Sequence, residues 1–326
     1  MTDHPHATGS TATPSASGRP KVSILIPVHN QERWIEDCVR SALAQSYPDL
    51  EVVVSDNAST DRTGEIVSAL MGDRRLRYAR NETDIGRVRN YRRLVHDLAT
   101  GDWVLMLDGD DLLLDEHYVS KAMELAAFDP EVVLVFGKML QGSSVHSAEA
   151  RNERCQLSSV TDGNEFFLRH PPFGEIGLFH LTVLYRRETA LALNIYDLNV
   201  LSVDFDAFYR MILGHKIGFV DSVAGLWRQH GKNTSQRYDY EALLGNFAAL
   251  RRPFEQALAM GIAPQPVLER WLRFSTARFL LICMKSALRL GRFRDVARFI
   301  TSVTAHDPRL LGTVTALGVR RLAGLK

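Results

Sequence analysis

Four aspartates lie within the stretch LMLDGDDLLLD at positions 105–115. Only Gly109 separates Asp108 from Asp110, and glycine permits backbone dihedrals closed to other residues, so the two carboxylates can converge on one point if the chain turns there. Neighbouring carboxylates repel each other, and a hard cation such as Mg²⁺ or Mn²⁺ offsets that repulsion. Such ions are typically held by one or two carboxylates together with substrate phosphates. The stretch is therefore a candidate divalent metal site that a diphosphate would complete.

A purely structural role also accounts for these residues. Asp108 can begin a turn, and Asp111 or Asp115 can cap the helix that follows. A calcium-binding EF-hand loop beginning at Asp108 is excluded, because its sixth position is Leu113 instead of glycine and its twelfth is Val119 instead of glutamate. Taken alone, the acidic stretch leaves the metal site and the turn as open alternatives.

The surrounding chain predicts a mainly parallel α/β sheet. The apolar runs VSILIPV and LEVVVSDN are typical of buried strands, and each precedes a segment with helical periodicity. In such sheets ligands bind beyond the carboxyl ends of the strands. His29–Asn30 and Asp56–Asn57 follow two predicted strands, just as the aspartates follow the strand DWVLMLD. We therefore expect these three polar clusters to meet at a single site.

Composition narrows the class of protein. The 326 residues carry 39 Lys and Arg against 38 Asp and Glu, so no general attraction to nucleic acid is expected. Cys38, Cys155 and Cys283 are widely spaced and odd in number, which indicates neither a disulfide framework nor a zinc site and favours a reducing cytoplasm. Residues 1–20 are rich in Ser, Thr, Pro and Ala, and we predict a disordered tail there. No apolar run has the length of a transmembrane helix.

The pattern of the chain changes near residue 239. Predicted strands and helices alternate over 21–238, whereas 239–326 shows only helical periodicity. We therefore predict an α/β domain followed by a helical region. The last segment, LLGTVTALGVRRLAGLK, combines apolar residues with three cations and could lie on an anionic membrane, although such helices more often pack against their own domain.

Several ordered segments resemble the family 2 glycosyltransferases, enzymes of the GT-A fold that use nucleotide-diphosphate sugars. The segments are VSILIPVHNQERWIEDCVRSALAQSYPDLEVVVSDNASTDRT, NETDIGRVRN, LMLDGDD as the D-x-D motif, VDFDAFYRM and LWRQHGKNTS, and together they span about 21–235. The resemblance implies a GT-A (Rossmann-like) α/β fold, in which helices flank a mainly parallel mixed sheet, with a C-terminal α-helical appendage.

The resemblance also implies a nucleotide-binding edge. The residues that would contact or lie near the nucleotide are at strand ends or in the loop before a helix: Pro27, His29, Asn30, Asp56, Asn81, Gly86 and Asn90. Asp56 would accept hydrogen bonds from the base or the ribose, although an Asx turn with Asn57 explains the same residue. Eight arginines lie between Arg74 and Arg93, and most of them are expected to face water.

By the same resemblance, Mn²⁺ or Mg²⁺ would be bound by Asp110 and Asp108, with Asp108 also near the ribose. His230 would be a further metal ligand or touch the diphosphate, with help from Arg228. Imidazole nitrogen suits Mn²⁺ better than Mg²⁺. Asp111 would support the turn.

A general base is implied just before a helix. The family places an acidic residue there, often in a Glu-Asp pair, and Asp204 stands at that position in VDFDAFYR. Val203 replaces the usual preceding acid, and Asp206 is the alternative base unless it serves the helix N-terminus. A base that deprotonates the acceptor hydroxyl implies a single displacement with inversion.

The implied function is transfer of a hexosyl or related sugar from a UDP-, GDP- or dTDP-linked donor to a glycan or glycolipid acceptor, in bacterial surface polysaccharide synthesis. The expected location is the cytoplasm, with an optional peripheral contact of the C-terminal helices on the inner membrane face. One alternative is a non-catalytic sugar-nucleotide-binding scaffold, which the absent acid at Val203 favours. A nucleotidyltransferase is a more distant alternative, since it needs a glycine-rich phosphate loop where this chain has PVHNQERW. No NAD or ATP motif is present.

Overall fold

The computed structural model of the protein describes residues 18–153, 155–231, 233, 238–305 and 307–322, with side chains to residue 317. Most of the predicted tail at 1–20 therefore lies outside the described residues. The strands are β1 (Val22–Val28), β2 (Leu50–Asp56), β3 (Leu76–Arg80), β4 (Trp103–Met106), β5 (Leu112–Leu113), β6 (Val132–Gly142), β7 (Glu149–Arg151), β8 (Val160–Asp162), β9 (Leu184–Arg186) and β10 (Lys216–Arg228).

Helices separate most of these strands and make up the C-terminal region. They are α1 (Ile35–Leu43), α2 (Thr63–Ala69), α3 (Arg87–Arg93), α4 (Tyr118–Phe128), α5 (Gly163–Arg169), α6 (Arg187–Ala192), α7 (Val203–Met211), α8 (Tyr240–Gly245), α9 (Ala248–Ala259), α10 (Gln265–Arg289), α11 (Phe293–Thr304) and α12 (Leu310–Leu322). A π-helical turn at Leu94–Leu98 continues α3.

One mixed sheet organises the α/β part of the chain, in the order β3-β2-β1-β4-β9-β6-β10-β5, with β7 beside β6 and β8 beside β10. The longer ladders, β1–β2, β1–β4, β2–β3 and β6–β10, are parallel. The shorter ladders, including β4–β9 and β5–β10, are antiparallel. Because β1, β2 and β4 are parallel neighbours, their carboxyl ends lie at the same edge of the sheet, as the sequence predicts.

Both faces of the sheet are buried. Leu25 and Val53 face a core that includes side chains of α3, α5, α6 and α7. Ile24 and Val52, one position away, face a second core that includes side chains of α1, α2 and α4. Burial on both faces explains why VSILIPV is almost continuously apolar instead of alternating.

The C-terminal helices share the core of the α/β part. Trp271 of α10 stacks on Phe167 of α5 with ring centroids 4.2 Å apart, and its indole N–H donates to the Phe167 carbonyl at 2.7 Å. A further apolar cluster joins α8, α10 and α11 and includes Tyr240, Phe279 and Phe299. The boundary expected at residue 239 therefore marks a change of pattern but no break in packing. Within the described residues, no helix has the length and hydropathy needed to cross a membrane.

A buried glutamate links three strands of the sheet. Glu51 of β2 is 4% exposed, and its Oε1 accepts hydrogen bonds from the Ser23 hydroxyl at 2.6 Å and the Thr100 amide at 2.8 Å. Its Oε2 lies 3.1 Å from Nζ of Lys21 and from Nη1 of Arg77. Burial acts to raise the pKa of Glu51, but the hydrogen bonds from Ser23, Thr100 and Lys21 outweigh it and lower this pKa to about 2. The ionised carboxylate therefore stabilises the folded state.

We expect Glu51→Gln to lower the free energy of unfolding by about 2–3 kcal/mol at pH 7, as measured by urea denaturation. A lowered pKa contributes stability above the ordinary glutamate pKa of about 4.5, and this stability is lost as the pH falls towards about 2. The difference from wild type should therefore shrink markedly between pH 6 and pH 3. Glu36→Gln, at an exposed ion pair with Arg40, is the control and should change stability by less than about 1 kcal/mol. A pH-independent difference would contradict this role for Glu51.

Candidate functional site

The residues Asp108–Asp111, called the acidic turn below, follow β4 at the edge of the sheet. The Gly109 amide donates to the carbonyl of Pro27 at 3.3 Å, and the Asp111 amide donates to the carbonyl of Asp108 at 2.9 Å. A Cβ atom on Gly109 would lie 2.6 Å from a methyl group of Val28, and its φ is not left-handed. Glycine is therefore required for close packing against β1, and not for the special dihedral expected from the sequence.

Two carboxylates of the acidic turn meet partners from distant segments. Oδ1 of Asp108 accepts a hydrogen bond from the Tyr91 hydroxyl at 2.7 Å. Oδ2 of Asp110 lies 2.8 Å from Nε2 of His230 and 3.3 Å from Nδ2 of Asn233. Two of the predicted metal ligands, Asp110 and His230, are thus in contact although they are 120 residues apart in the chain.

Few positive charges offset the carboxylates of the acidic turn. Asp111 is 5% exposed, and its Oδ1 accepts a hydrogen bond from the Arg228 amide at 2.9 Å. Burial, followed by the charges of Asp110 and Asp108, raises the pKa of Asp111 well above its ordinary value. Burial and then Asp108 also raise the pKa of Asp110, whereas the hydrogen bond with His230 lowers it. A bound cation would relieve this repulsion.

The end of β10 lies beside the acidic turn because β5, which follows the turn, pairs with β10. Arg228 is 6% exposed, and its guanidinium carbon lies 4.4 Å from the ring centroid of Trp34. Its Nη2 donates to Oδ2 of Asp37 at 3.3 Å, while its buried Nη1 has no hydrogen-bond partner among the described residues. The Trp34 ring also stacks on His230, with centroids 5.6 Å apart. A phosphate oxygen would satisfy the unpaired guanidinium N–H.

The chemistry of this donor set suits a divalent cation. Asp108, Asp110 and His230 provide carboxylate oxygen and imidazole nitrogen, which are ligands that Mn²⁺ accepts. Within the described ranges, no group of three or more His, Cys, Asp or Glu side chains is arranged to hold a metal ion by itself. A coordination shell would therefore need further ligands, such as the phosphate oxygens of a substrate, and the metal site stays a prediction.

His29 and Asn30 follow β1 and are exposed at the predicted nucleotide edge. Nδ1 of His29 lies 2.8 Å from the carbonyl oxygen of Asn57. Asn30 adopts a left-handed φ of 56°, and its Oδ1 accepts a hydrogen bond from the Thr60 amide at 2.7 Å. Asn30 thus holds the loop after β2, and its Nδ2 lies 3.2 Å from Nε2 of His29, so both ring nitrogens of the exposed His29 have protein partners.

Asp56 is fully buried, and both of its carboxylate oxygens have protein partners. Oδ1 accepts a hydrogen bond from the Ser59 amide at 2.7 Å. Oδ2 accepts from the Tyr78 hydroxyl at 2.6 Å and from Nη1 of Arg80 at 3.1 Å. These bonds fold the chain after β2 into a turn, as the structural alternative proposed. The contact of Asp56 with a nucleotide stays a prediction.

Asn81 and Asn90 lie in a buried amide network. Nδ2 of Asn81 donates to Oδ1 of Asn57 at 2.9 Å and to Oδ1 of Asn90 at 3.2 Å. Nδ2 of Asn90 donates to the carbonyl of Ser55 at 2.9 Å. Gly86 has a left-handed φ of 87° where the loop enters α3, a conformation that favours glycine. This network holds the loop before α3 against the end of β2, and a direct nucleotide contact of these residues stays a prediction.

Asp204 is half-buried in the first turn of α7. Burial raises its pKa above the ordinary aspartate value, although His180 and Arg87 act in the opposite direction. Nη2 of Arg87 donates to the carbonyls of Val200 and Leu201 at 3.0 and 2.9 Å. Arg87 therefore ties α3 to the loop that precedes Asp204.

A chain of hydrogen bonds connects this loop with the acidic turn. Nη1 of Arg87 donates to the Tyr91 hydroxyl at 3.3 Å, and this hydroxyl donates to Asp108. Asp108 and Asp204 both interact electrostatically with Arg87 and with His180. The predicted base and the predicted metal ligand therefore belong to one polar cluster.

His180 lies on the buried side of this polar cluster. Its Nε2 lies 3.0 Å from the hydroxyl of Tyr196, which in turn lies 3.3 Å from the hydroxyl of Tyr185. Tyr196 adopts a left-handed φ of 63°, a conformation that is unfavourable for an aromatic residue. Burial lowers the pKa of His180, while the nearby carboxylates of Asp204 and Asp108 act in the opposite direction.

Asp206, the alternative base, has a structural role. It is fully buried, and its Oδ2 lies 3.2 Å from Nη1 of Arg252 and 3.4 Å from Nη1 of Arg210. Arg252 belongs to α9, so this ion pair joins α7 to the C-terminal helices.

The sequence alone does not identify four residues of this cluster: Arg87, Tyr91, His180 and Tyr196. The arginine-rich segment before Arg93 was a signal for Arg87, but nothing local distinguishes this arginine from its neighbours. Tyr91, His180 and Tyr196 lie among apolar residues and match the pattern of core side chains. Their importance depends on contacts with distant segments.

Comparison with known proteins gives an independent indication of the family. The Glycosyl transferase family 2 model matches residues 23–187. The chain is 27% identical over 114 residues to glycosyltransferase GlyG of Streptococcus pneumoniae serotype 4, covering 35% of this chain and 38% of GlyG. It is 31% identical over 127 residues to poly(ribitol-phosphate) β-N-acetylglucosaminyltransferase TarS of Staphylococcus aureus, covering 38% of this chain and 22% of TarS. The matches thus span well under half the length of these relatives.

Two solved structures have a similar fold. Staphylococcus aureus TarS 1–349 in complex with UDP-GlcNAc superposes with a TM-score of 0.68 at 18% identity, covering 90% of this chain and 84% of that chain. Mannosyltransferase PcManGT of Pyrobaculum calidifontis, in complex with GDP-Man and Mn²⁺, superposes with a TM-score of 0.56 at 21% identity, covering 95% and 89%. These similarities confirm the predicted GT-A fold with its mixed sheet and C-terminal helices. Since the family model covers half of the chain, the protein belongs to glycosyltransferase family 2.

Proposed function

We propose that this glycosyltransferase moves a sugar from a nucleotide-diphospho-sugar to a hydroxyl of a glycan or glycolipid acceptor, with inversion at the anomeric carbon. The observation that carries the proposal is the location of Asp204. This half-buried carboxylate shares Arg87 and His180 as electrostatic partners with Asp108 of the acidic turn. A single displacement requires a base and a site for the departing diphosphate within one cluster.

In the proposed reaction, the acceptor hydroxyl attacks C1 of the sugar and its proton passes to the carboxylate of Asp204. The bond between C1 and the diphosphate oxygen breaks, and the nucleoside diphosphate departs with the bonding electrons. Attack from the face opposite the diphosphate inverts the configuration. The raised pKa of Asp204 supports this role, because it makes the carboxylate a stronger base than an exposed aspartate.

Asp108, Asp110 and His230 are the residues that would hold Mn²⁺ or Mg²⁺. A bound ion supplies positive charge where the departing diphosphate becomes more negative. Arg228 supports the same end of the site, because its buried Nη1 lacks a protein partner among the described residues and an Arg fork suits phosphate oxygens.

The residues at the strand ends and the similar proteins support a proposal for the sugar donor and for the cellular location. The exposed ring of His29 supports a contact with the base or ribose, beside Pro27, Asn30 and Asp56. The TarS and PcManGT structures are complexes with UDP-GlcNAc and GDP-Man, which supports a UDP-, GDP- or dTDP-linked donor. The similarity to TarS also supports an acceptor in bacterial surface glycan synthesis. The free, buried thiols of Cys38, Cys155 and Cys283 agree with a cytoplasmic setting.

We expect Asp204→Asn to lower the transfer rate by about 10²–10⁴-fold, because an amide cannot accept the acceptor proton. The measurement is release of nucleoside diphosphate from UDP-, GDP- and dTDP-sugars in the presence of a bacterial membrane extract. Donor binding, followed by thermal shift, should persist. Asp206→Asn is the matched control: the folded protein should keep its transfer rate, while loss of the ion pairs with Arg210 and Arg252 lowers its stability. Wild-type transfer by Asp204→Asn would exclude Asp204 as the base, whereas donor binding without any transfer by the wild-type protein would favour a scaffold.

The pH dependence of transfer should report the electrostatics of Asp204. Activity requires the carboxylate form, so it falls as the pH drops through the raised pKa of Asp204. The positive charge of Arg87 lowers this pKa, and Arg87→Gln should therefore shift the acidic limb of kcat/KM to higher pH. Arg89→Gln, which changes an exposed arginine on the same helix, is the control and should leave the limb in place. Equal profiles for both variants would contradict the coupling of Arg87 to the base.

Removal of divalent cations with EDTA should abolish transfer, and Mn²⁺ should restore it. Asp110→Asn should raise the Mn²⁺ concentration required for binding of a nucleoside diphosphate by at least about tenfold, as measured by isothermal titration calorimetry. Asp221→Asn, at an exposed carboxylate paired with Lys138, is the control and should bind as wild type does. Full activity in EDTA would contradict a metal-dependent reaction.

A further inference from the structure

A short turn joins α10 to α11 and presents apolar side chains to solvent. Every residue of the sequence LRLGRFR at 288–294 is exposed. Leu288, Leu290 and Phe293 are 49%, 58% and 70% exposed. We call residues 285–294 the α10–α11 tip. Three large apolar side chains exposed within six residues are unusual on a water-facing turn.

The tip is held in this shape by its backbone. The Arg292 amide donates to the carbonyl of Ala287 at 2.9 Å, and the Gly291 amide donates to the carbonyl of Leu288 at 3.0 Å. Gly291 has a left-handed φ of 67°, as expected for a glycine that ends a helix. Further along α11, Phe299 packs on Tyr240 with ring centroids 4.6 Å apart. The apolar side chains of the tip are therefore exposed by a defined turn that is anchored to the core.

The tip is also cationic. Lys285, Arg289, Arg292 and Arg294 lie in it, and it contains no acidic residue. Nη1 of Arg292 lies 3.9 Å from Oδ2 of Asp295, the residue that directly follows the tip. Among the described residues, the other three cations have no carboxylate partner. Lys285, Leu288 and Arg289 share a helical face, so apolar and cationic side chains lie side by side.

An exposed aromatic ring also occurs elsewhere on the protein, so ring exposure alone does not make the α10–α11 tip unusual. Phe128, at the end of α4, is 85% exposed, but its neighbours in the chain include Glu124, Asp129 and Glu131. Lys216 pairs with both Asp129 and Glu131, so acidic side chains outnumber basic ones beside this ring, in contrast to the tip. Phe128 is therefore a matched example of an exposed ring in an acidic setting.

We infer that the α10–α11 tip docks on an anionic lipid bilayer. Leu290 and Phe293 enter the boundary between headgroups and acyl chains, while the cations around them contact lipid phosphates. An anionic bilayer supplies both an apolar phase and negative charge, which is the combination that this surface complements. A second copy of the chain would bring like charges together, so charge complementarity favours the bilayer over self-association. This inference does not depend on the proposed sugar transfer.

The test is cosedimentation of the full-length protein with vesicles of phosphatidylcholine that contain increasing fractions of phosphatidylglycerol. We expect binding to increase with phosphatidylglycerol and to decrease at high salt. A Leu290→Ser/Phe293→Ser variant and an Arg289→Gln/Arg294→Gln variant should each lose at least about tenfold in partition coefficient. Phe128→Ser should bind as wild type does. Because all of these side chains are exposed, thermal unfolding should be unchanged.

Three outcomes would overturn the inference. The first is wild-type partition of both tip variants, which would assign any membrane contact to another part of the chain. The second is wild-type binding that is absent or independent of phosphatidylglycerol. The third is a wild-type dimer, seen by sedimentation velocity without lipid, that the Leu290→Ser/Phe293→Ser variant converts to a monomer, since the tip would then contact a second copy.

Discussion

The structure depends on how one buried and two half-buried carboxylates, Asp111, Asp108 and Asp110, are accommodated after β4. Each one has a partner supplied by a distant segment: the Tyr91 hydroxyl from α3, the His230 ring after β10, and the Arg228 amide at the end of β10. These partners satisfy carboxylate oxygens that lie close to one another and are wholly or partly removed from water. The sheet makes these contacts possible, because β5 continues from the acidic turn into antiparallel pairing with β10.

The second requirement is that α7, the helix that carries Asp204, is held in a fixed position relative to the acidic turn. From one side, Arg87 binds the carbonyls before α7 and the Tyr91 hydroxyl. From the other side, Oδ1 of Asn246 accepts a hydrogen bond from the Ser202 amide at 2.6 Å, directly before α7. The C-terminal helices therefore contribute to the position of the proposed base, and they also carry the α10–α11 tip. The proposed base and the α10–α11 tip therefore belong to one continuous packed unit.

Much of this arrangement could be predicted from local sequence. Continuous apolar runs identify β1 and β2 because strands buried on both faces tolerate few polar residues. The polar residues after those runs identify the ligand edge, and the motif resemblance singles out Asp204 and His230. The roles of Asp56, Asn81 and Asn90 could not be predicted in the same way, because the side chain of a buried polar residue can hydrogen-bond either to a loop or to a ligand.

The sequence by itself determined the family, the fold class and the edge of the sheet where the site lies, since these depend on patterns repeated within a few residues. Only the tertiary structure decided that Arg87 and Tyr91 connect Asp108 to the loop before Asp204, and that His180 interacts electrostatically with both aspartates. It also decided that Gly109 is required by the side chain of Val28. The physical reason is that these hydrogen bonds and steric limits join segments that are separated in the chain, by 17 residues for Tyr91–Asp108 and by 114 for Arg87–Leu201, and they depend on how the helices pack on the sheet.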